Sequence, residues 1–310
     1  MHSDHLWRRM AEWPPAAQIL DSKLLGANMN ESITFESTYR LIDTPDYQIQ
    51  VNEAGTGHPI FMIHGTGPGA TGWSNFEASI RELSSSFHCI AVTMPGWGDS
   101  SPQSLQTGRD QGRAMLQLMD AMGIDRAAFV GNSMGGGIGM IMAAQYPSRV
   151  SHLITMGAGI YGVNVLTPAA LSDGMKTIFD TYKDPSPENF LRLVEVMCYD
   201  PAFATIELAE ERSRAALRNP EHLTNWLDIM NAGIGGTGFL EAAAKMPASE
   251  IPALVIHGRD DRTVHFESSL RALATIPNSR LVLLNRCGHW AQLEHAREFN
   301  GLVSHFLEAH

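Results

Sequence analysis

A serine is a useful nucleophile only where one group takes its proton and another holds the charge that its attack creates. Ser133 sits in Gly131-Asn132-Ser133-Met134-Gly135, a G-x-S-x-G run. The apolar residues Ala127 to Val130 lead into it and the small residues from Gly136 to Tyr146 lead out. That pattern predicts a strand, a sharp turn carrying the serine, and a helix. The hydroxyl then stands clear of the sheet, and the Met134 amide lies at the positive end of the helix, where an oxyanion is stabilised. Small residues that simply let two elements pack closely would give the same five residues, so the rest of the chain must decide.

A base and an acid follow in the order that such a serine needs. His289 lies in Cys287-Gly288-His289-Trp290, after an apolar run from Arg280 to Leu284. Asp261 and Asp260 both lie in Gly258-Arg259-Asp260-Asp261-Arg262-Thr263-Val264, and the spacing G-x-x-D-x-x-V selects Asp261. An acid after the preceding strand is the other arrangement, but Met156-Gly157-Ala158-Gly159 has no carboxylate. Of the 13 histidines, most fall in the N-terminal tail, inside strands or on helices. His265 follows the acid loop too closely to come from the last strand. His64-Gly65-Thr66-Gly67-Pro68-Gly69 ends another apolar run, Pro59 to Ile63. It lacks both the Gly-Lys-Ser/Thr of a phosphate loop and the dinucleotide fingerprint. An H-G-x-G loop supplying a second oxyanion amide is the better reading, with His64 as a prop for its backbone.

These residues need a sheet whose carboxyl ends converge. Phe35 to Ile42 and Tyr47 to Glu53 alternate like a hairpin, and His88 to Thr93, Val150 to Met156 and Pro252 to His257 are further apolar strands. Thr107 to Met122, Glu267 to Thr275 and His295 to Glu308 read as helices. Apolar strands alternating with helices imply a mostly parallel central sheet flanked by helices. The alternation stops at Gly157. Helical stretches at Pro168 to Tyr182, Pro187 to Met197, Phe203 to Leu217 and Pro220 to Met230 follow, then a glycine-rich exit from Gly233 to Gly238. The expected organisation is an N-terminal extension over 1–34, a core formed by 35–159 and 246–310, and an all-helical cap over 160–245 between the sixth and seventh strands.

The chain has 310 residues and a net charge of −11, which argues against nucleic acid and against anionic membrane surfaces. Cys89, Cys198 and Cys287 form no C-x-x-C pair and suit reduced thiols in a cytoplasm. Neither a secretion signal nor a membrane span is expected.

Four segments carry a narrower resemblance: His64 to Ala70 with Trp73-Ser74-Asn75; Gly131 to Gly136; Gly258 to Arg262; and Cys287-Gly288-His289-Trp290-Ala291-Gln292 running on to Glu298-Phe299-Asn300. From about Glu31 onward the chain resembles the meta-cleavage product hydrolases, carbon–carbon bond hydrolases of the α/β-hydrolase fold that act in bacterial aromatic-ring and steroid-ring degradation. The resemblance implies a small-molecule substrate of the 2-hydroxy-6-oxo-hexa-2,4-dienoate type, no metal or cofactor, and a homodimer or larger homo-oligomer. It implies Ser133 as nucleophile, His289 as base and Asp261 as its orienter, with the Thr66 and Met134 amides as oxyanion hole. Asn75, Asn132 and Trp290 match dienoate-contacting positions, in a pocket that also includes Gly65 and Gly67. Arg212 matches a cap arginine that grips the substrate carboxylate. The competing reading of Arg212 is a solvated helix-face residue beside Glu210 and Glu211. Two positions depart from the family. Thr66 stands where glycine is frequent, and Met197 stands where some members carry a cap phenylalanine facing the acyl side. A carboxylesterase or lactonase, or a non-catalytic small-molecule receptor, would use the same scaffold.

Overall fold

The computed structural model describes residues 33–310 apart from 161, 163, 167–170 and 237. The extension expected over 1–34 lies almost wholly outside the described residues. Eight strands form one sheet among the described residues: β1 (Tyr39–Asp43), β2 (Gln48–Ala54), β3 (Pro59–Ile63), β4 (His88–Thr93), β5 (Ala127–Asn132), β6 (Val150–Met156), β7 (Ala253–Gly258) and β8 (Ser279–Leu284). Their order is β1-β2-β4-β3-β5-β6-β7-β8. β2 is antiparallel to both of its neighbours, and every other pair is parallel.

The central strands are apolar throughout because both of their faces are covered. All residues of β5, β6 and β7 are buried. Beyond β3 the chain crosses first to β4 on one side and then to β5 on the other, so the strand order reverses at β3. Open parallel sheets bind ligands at such a reversal, beyond the strands' carboxyl ends. The Gly65–Gly69 loop, Ser133, Asp261 and His289 all lie there.

Helix α4 (Met134–Gln145) follows Ser133 and is buried from Met134 to Ala143. A helix covered on every side needs no amphipathic pattern, and this one is made of glycine, methionine, isoleucine and alanine. α2 (Gly72–Leu83) begins with a capping box between Thr71 and Ser74, which fixes Trp73 and Asn75 in its first turn. α3 (Gln111–Ala121) lies between β4 and β5, α10 (Glu267–Thr275) between β7 and β8, and α11 (Ala291–Glu294) and α12 (Ala296–Ala309) close the chain. Between β6 and β7 come α5 (Asp173–Lys183), α6 (Pro187–Met197), α7 (Ile206–Leu217), α8 (Pro220–Asn231) and α9 (Phe239–Lys245), with no strand among the described residues. No helix among the described residues is long and apolar enough to cross a membrane.

Several boundaries differ from the sequence-based expectation for local reasons. Phe35–Thr38 is a helical turn, α1, and only Tyr39 onward is strand. A capping box between Thr34 and Ser37 satisfies the first amides and outweighs the alternating pattern. α3 starts at Gln111 rather than Thr107, because Asp110 caps the Arg113 amide while Thr107 closes a turn with Ser104. α7 starts at Ile206 because Thr205 caps it and Pro201–Phe203 forms a separate 3-10 turn. α5 starts at its cap, Ser172, and residues 168–170 of the expected helix lie outside the described residues. α9 was not expected at all, being seven residues long and entered through Gly238 at φ +88°.

Gly135 cannot be replaced cheaply. A Cβ there would lie 2.1 Å from the carbonyl oxygen of Ile63, which belongs to the sheet and cannot yield. Gly135→Ala should therefore lower unfolding stability by about 1–3 kcal/mol, the usual cost of overpacking. Denaturant unfolding checks this, and an unchanged midpoint would contradict it.

Candidate active site

The β5–α4 turn holds Ser133 at φ +53° and ψ −113°, a backbone conformation costly to any residue with a Cβ. Its amide donates to the Met156 carbonyl at 2.8 Å, tying the turn to the end of β6. A Cβ at Gly131 would meet the Gly135 carbonyl carbon at 2.1 Å, and one at Gly136 would meet the Ala158 methyl at 2.7 Å. The small residues are thus required by the turn, and the turn presents the serine.

His289 is buried, and its Nδ1 lies 2.7 Å from Asp261 Oδ2. Its backbone amide donates to the Met197 carbonyl at 2.6 Å, and its carbonyl accepts from Asn132 Nδ2 at 3.1 Å. Gly157 packs against the ring: a Cβ there would lie 2.9 Å from His289 Nδ1. Gly157, in the stretch that carries no acid, therefore has no room for a side chain. Ser133 and His289 line the same small cavity. No hydrogen bond joins Ser133 Oγ to the imidazole among the described residues, and such bonds commonly tighten only around substrate.

Asp261 is fully provided with donors. Oδ1 accepts the amides of Thr263 at 2.7 Å and Val264 at 2.9 Å. Oδ2 accepts from His289 and also lies 3.1 Å from Nε2 of His257, a residue at the end of β7. Burial alone would raise the pKa of this carboxyl, but the charge and hydrogen bonds of the two imidazoles outweigh it and hold the group well below the usual carboxylate range. The competitor Asp260 sits beside Arg259, 3.7 Å away. The sequence placed His257 merely inside a strand. The four-residue spacing from His257 to Asp261 was the available signal.

The loop after β3 is held from both sides. His64 Nε2 accepts the Met94 amide at 3.0 Å, so Nδ1 carries the hydrogen and donates to the Gly65 carbonyl at 2.7 Å. Burial pushes the His64 pKa down to about 4, so the ring is neutral at physiological pH. Trp226 Nε1 donates to Thr66 Oγ1 at 2.8 Å, and the Tyr182 hydroxyl donates to the Thr66 carbonyl at 2.8 Å. The rings of Tyr182 and Trp226 stack 3.8 Å apart. Trp97 Nε1 donates to both Tyr182 Oη and the Gly67 carbonyl. The threonine hydroxyl therefore anchors this loop to α8, a role a glycine lacks, while the backbone carbonyl ties it to α5. The Thr66 and Met134 amides donate to no protein acceptor among the described residues.

Two cavities meet at Ser133. The smaller, about 20 Å³, is lined by Gly65, Thr66, Gly67, Asn75, Asn132, Met197, Arg212, His289 and Trp290. The larger, about 830 Å³, runs past Thr66 and Met134 along Met175, Met230 and Phe239. Met197 lines the smaller cavity beside Arg212. Its sulfur accepts from Thr263 Oγ1 at 3.3 Å. Asn75 donates to Thr71 and Ser74, and Asn132 donates to the backbone, so both also fix the cavity wall. Asn132 Oδ1 is buried without a partner. The solvated reading of Arg212 does not hold. Its guanidinium lies 4.6 Å from the centre of the Trp290 ring, and its Nε is buried without a hydrogen-bond partner. Glu210 pairs with Arg214 instead, and no ion pair engages Arg212 among the described residues. Burial lowers its pKa. Cys89, Cys198 and Cys287 are free and buried, burial raises the pKa of each thiol, and none of them lines either cavity at Ser133.

Comparison with known proteins agrees with this geometry. Residues 58–296 match the family model described as the alpha/beta hydrolase fold. A 2-hydroxy-6-oxononadienedioate/2-hydroxy-6-oxononatrienedioate hydrolase of Pseudomonas sp is 37% identical over 89% of this chain and 99% of its own. A 2-hydroxy-6-oxo-6-phenylhexa-2,4-dienoate hydrolase of Comamonas testosteroni is 38% identical over 86% of this chain and 93% of its own. Among solved structures, the meta-cleavage product hydrolase CumD of Pseudomonas fluorescens IP01 superposes with a TM-score of 0.78 at 29% identity, over 87% of this chain and 97% of its own.

The neutral His64 has a measurable consequence. Its folded pKa of about 4 lies below the ordinary imidazole value of 6.5, so the unfolded chain binds a proton that the folded chain refuses. The linked stability is present above 6.5 and is lost as pH falls towards 4. At about 1.4 kcal/mol per pKa unit this costs about 3 kcal/mol. Thermal unfolding of His64→Asn should fall less steeply than wild type over that range, and parallel curves would contradict the assignment. The family model matched over residues 58–296, and identities of 37% and 38% to the Pseudomonas and Comamonas hydrolases over more than four fifths of the chain, place it in the meta-cleavage product hydrolase family of the α/β-hydrolase fold.

Proposed function

We propose that the protein hydrolyses a carbon–carbon bond of a 2-hydroxy-6-oxo-hexa-2,4-dienoate ring-cleavage product, releasing 2-hydroxypenta-2,4-dienoate and a carboxylic acid, within aromatic-compound degradation. The observation that carries this reading is Arg212, whose guanidinium stacks on Trp290 with its Nε enclosed and makes no ion pair among the described residues, in the same small cavity as Ser133. A buried cation lacking its counter-ion is costly, and a substrate carboxylate would meet it with paired charge-assisted hydrogen bonds. The names of the relatives from Pseudomonas and Comamonas support the same substrate class.

In this reading the dienoate carboxylate faces Arg212 and the group on C6 extends into the larger cavity. Ketonisation moves the enol proton to C5 and leaves a double bond conjugated to the C2 ketone. Ser133 Oγ then adds to the C6 carbonyl while His289 takes its proton, and Asp261 holds the imidazolium. The oxyanion lies between the Thr66 and Met134 amides. As the carbonyl re-forms, the C5–C6 bond breaks, its electrons pass through the conjugated bonds to the C2 oxygen, and the dienolate takes the proton back from His289, leaving 2-hydroxypenta-2,4-dienoate and a neutral imidazole. Water, deprotonated by His289, clears the acyl-enzyme. The scheme uses only the chain's own groups, with no metal or cofactor.

Helices α5–α9, within the 160–245 segment, form the cap over residues of the 35–159 and 246–310 core. A cavity of about 20 Å³ holds roughly one water, so α6 and α7 must shift to admit a dienoate. Met197 on α6 is suited to that, since methionine repacks easily. A cytoplasmic homodimer or larger homo-oligomer is part of the same reading.

Two variants test the proposal. Ser133→Ala should lower turnover by about 10⁴-fold or more while still binding the dienoate with a spectral shift; retained turnover would overturn the scheme. Arg212→Ala should raise KM for the dienoate by about 10- to 100-fold, from lost charge-assisted bonds. It should leave uncharged aryl esters unaffected. An equal effect on both substrates, with ester turnover the faster, would favour a carboxylesterase.

A further inference from the structure

His257 ends β7, four residues before Asp261, and is fully buried. No step of the chemistry above uses it. Its Nε2 lies 3.1 Å from Asp261 Oδ2 and 2.8 Å from the Val264 carbonyl oxygen. Its Nδ1 lies 2.6 Å from Ser269 Oγ, which in turn lies 3.0 Å from the Ala158 carbonyl oxygen.

Hydrogen counting fixes the ring. An ionised carboxylate and a peptide carbonyl can only accept, so an Nε2 placed between them carries a hydrogen. Ser269 has one hydroxyl hydrogen, for either the Ala158 carbonyl or His257 Nδ1. Both choices leave the Nε2–H in place. That single hydrogen is shared: the Val264 carbonyl oxygen is its nearer acceptor at 2.8 Å, and Asp261 Oδ2, 3.1 Å from the same nitrogen, is the second, beside its 2.7 Å bond from His289 Nδ1.

We propose that His257 is a positioning residue for Asp261, donating Nε2–H to the same carboxylate oxygen that orients His289. Two consequences follow. With the Thr263 and Val264 amides on Oδ1, the carboxylate cannot turn without giving up donors at both oxygens. His257 also draws on the negative charge that stabilises protonated His289, and so tempers the acid. The titratable groups that face it are Asp261 and, beyond that carboxylate, His289 and the buried Cys287. α10 presents Ser269, β8 presents Leu283 and β6 ends opposite Ile256, none of them ionisable.

The proposal rests on the serine–histidine–aspartate reading, not on the substrate. The first test is nitrogen NMR of the wild-type protein labelled with ¹⁵N-histidine, with His257→Gln assigning the resonance. The expected result is a protonated Nε2 at His257 throughout the neutral range. A bare Nε2 would overturn the proposal, and this readout stands whether or not Ser133→Ala loses activity. The second test compares pH profiles of kcat/KM, with an aryl ester as probe if the dienoate fails. His257→Leu should lower the plateau about tenfold or more, as loss of an outer hydrogen-bond partner commonly does. It should also move the acid limb to higher pH, because more of the Asp261 charge is left for protonated His289. His257→Gln retains a donor and should restore most of the plateau. A folded His257→Leu protein with unchanged plateau and acid limb would also overturn the proposal; if that variant does not fold, the NMR result decides.

Discussion

The backbone at Ser133 is the constraint on which the rest of the site depends. A residue with a side chain held at φ +53° costs on the order of 1–3 kcal/mol, and it persists only where its surroundings over-determine it. Here they do. β3 and β6 flank β5 in parallel register, the Ser133 amide is committed to the Met156 carbonyl, and α4 is pressed so closely onto the sheet that Gly131, Gly135 and Gly136 have no room for a Cβ. The strain is the means by which a buried strand delivers a half-exposed hydroxyl to the meeting point of two cavities.

Around that hydroxyl the protein holds two buried charges of opposite sign, treated differently. Asp261 has four donors and a carboxyl pKa held low, so its charge is structural and permanent. Arg212 has an aromatic face and an unpartnered Nε. Burying a charge without a partner is unfavourable for folding. The larger cavity on the other side of Ser133 is lined by Met175, Met230 and Phe239 together with Arg109 and Arg271.

The parts of this arrangement that come from local chain chemistry were legible in the sequence. Ser133, Asp261 and His289 each stand directly after an apolar strand, and a parallel sheet brings such positions together whatever the details of packing. The neutral prop at His64 and the inward Arg212 agree with their sequence readings, the first from its place in the loop and the second from family resemblance. What sequence could not give came from contacts between distant segments. His257 looks like a strand residue until β7 and the acid loop fold back so that its ring reaches Asp261. Thr66 looked like a departure from the family, whereas Trp226, more than a hundred positions away, makes its hydroxyl an anchor. The turn at Phe35–Thr38 was misread because a single capping box outweighed a weak alternation.

The most direct test of carbon–carbon cleavage is product analysis of the wild-type enzyme after stopped-flow mixing with 2-hydroxy-6-oxo-6-phenylhexa-2,4-dienoate. The account predicts rapid bleaching of the dienolate, with 2-hydroxypenta-2,4-dienoate and benzoate formed in equal amounts. Neither binding nor bleaching, alongside brisk hydrolysis of uncharged aryl esters, would contradict it.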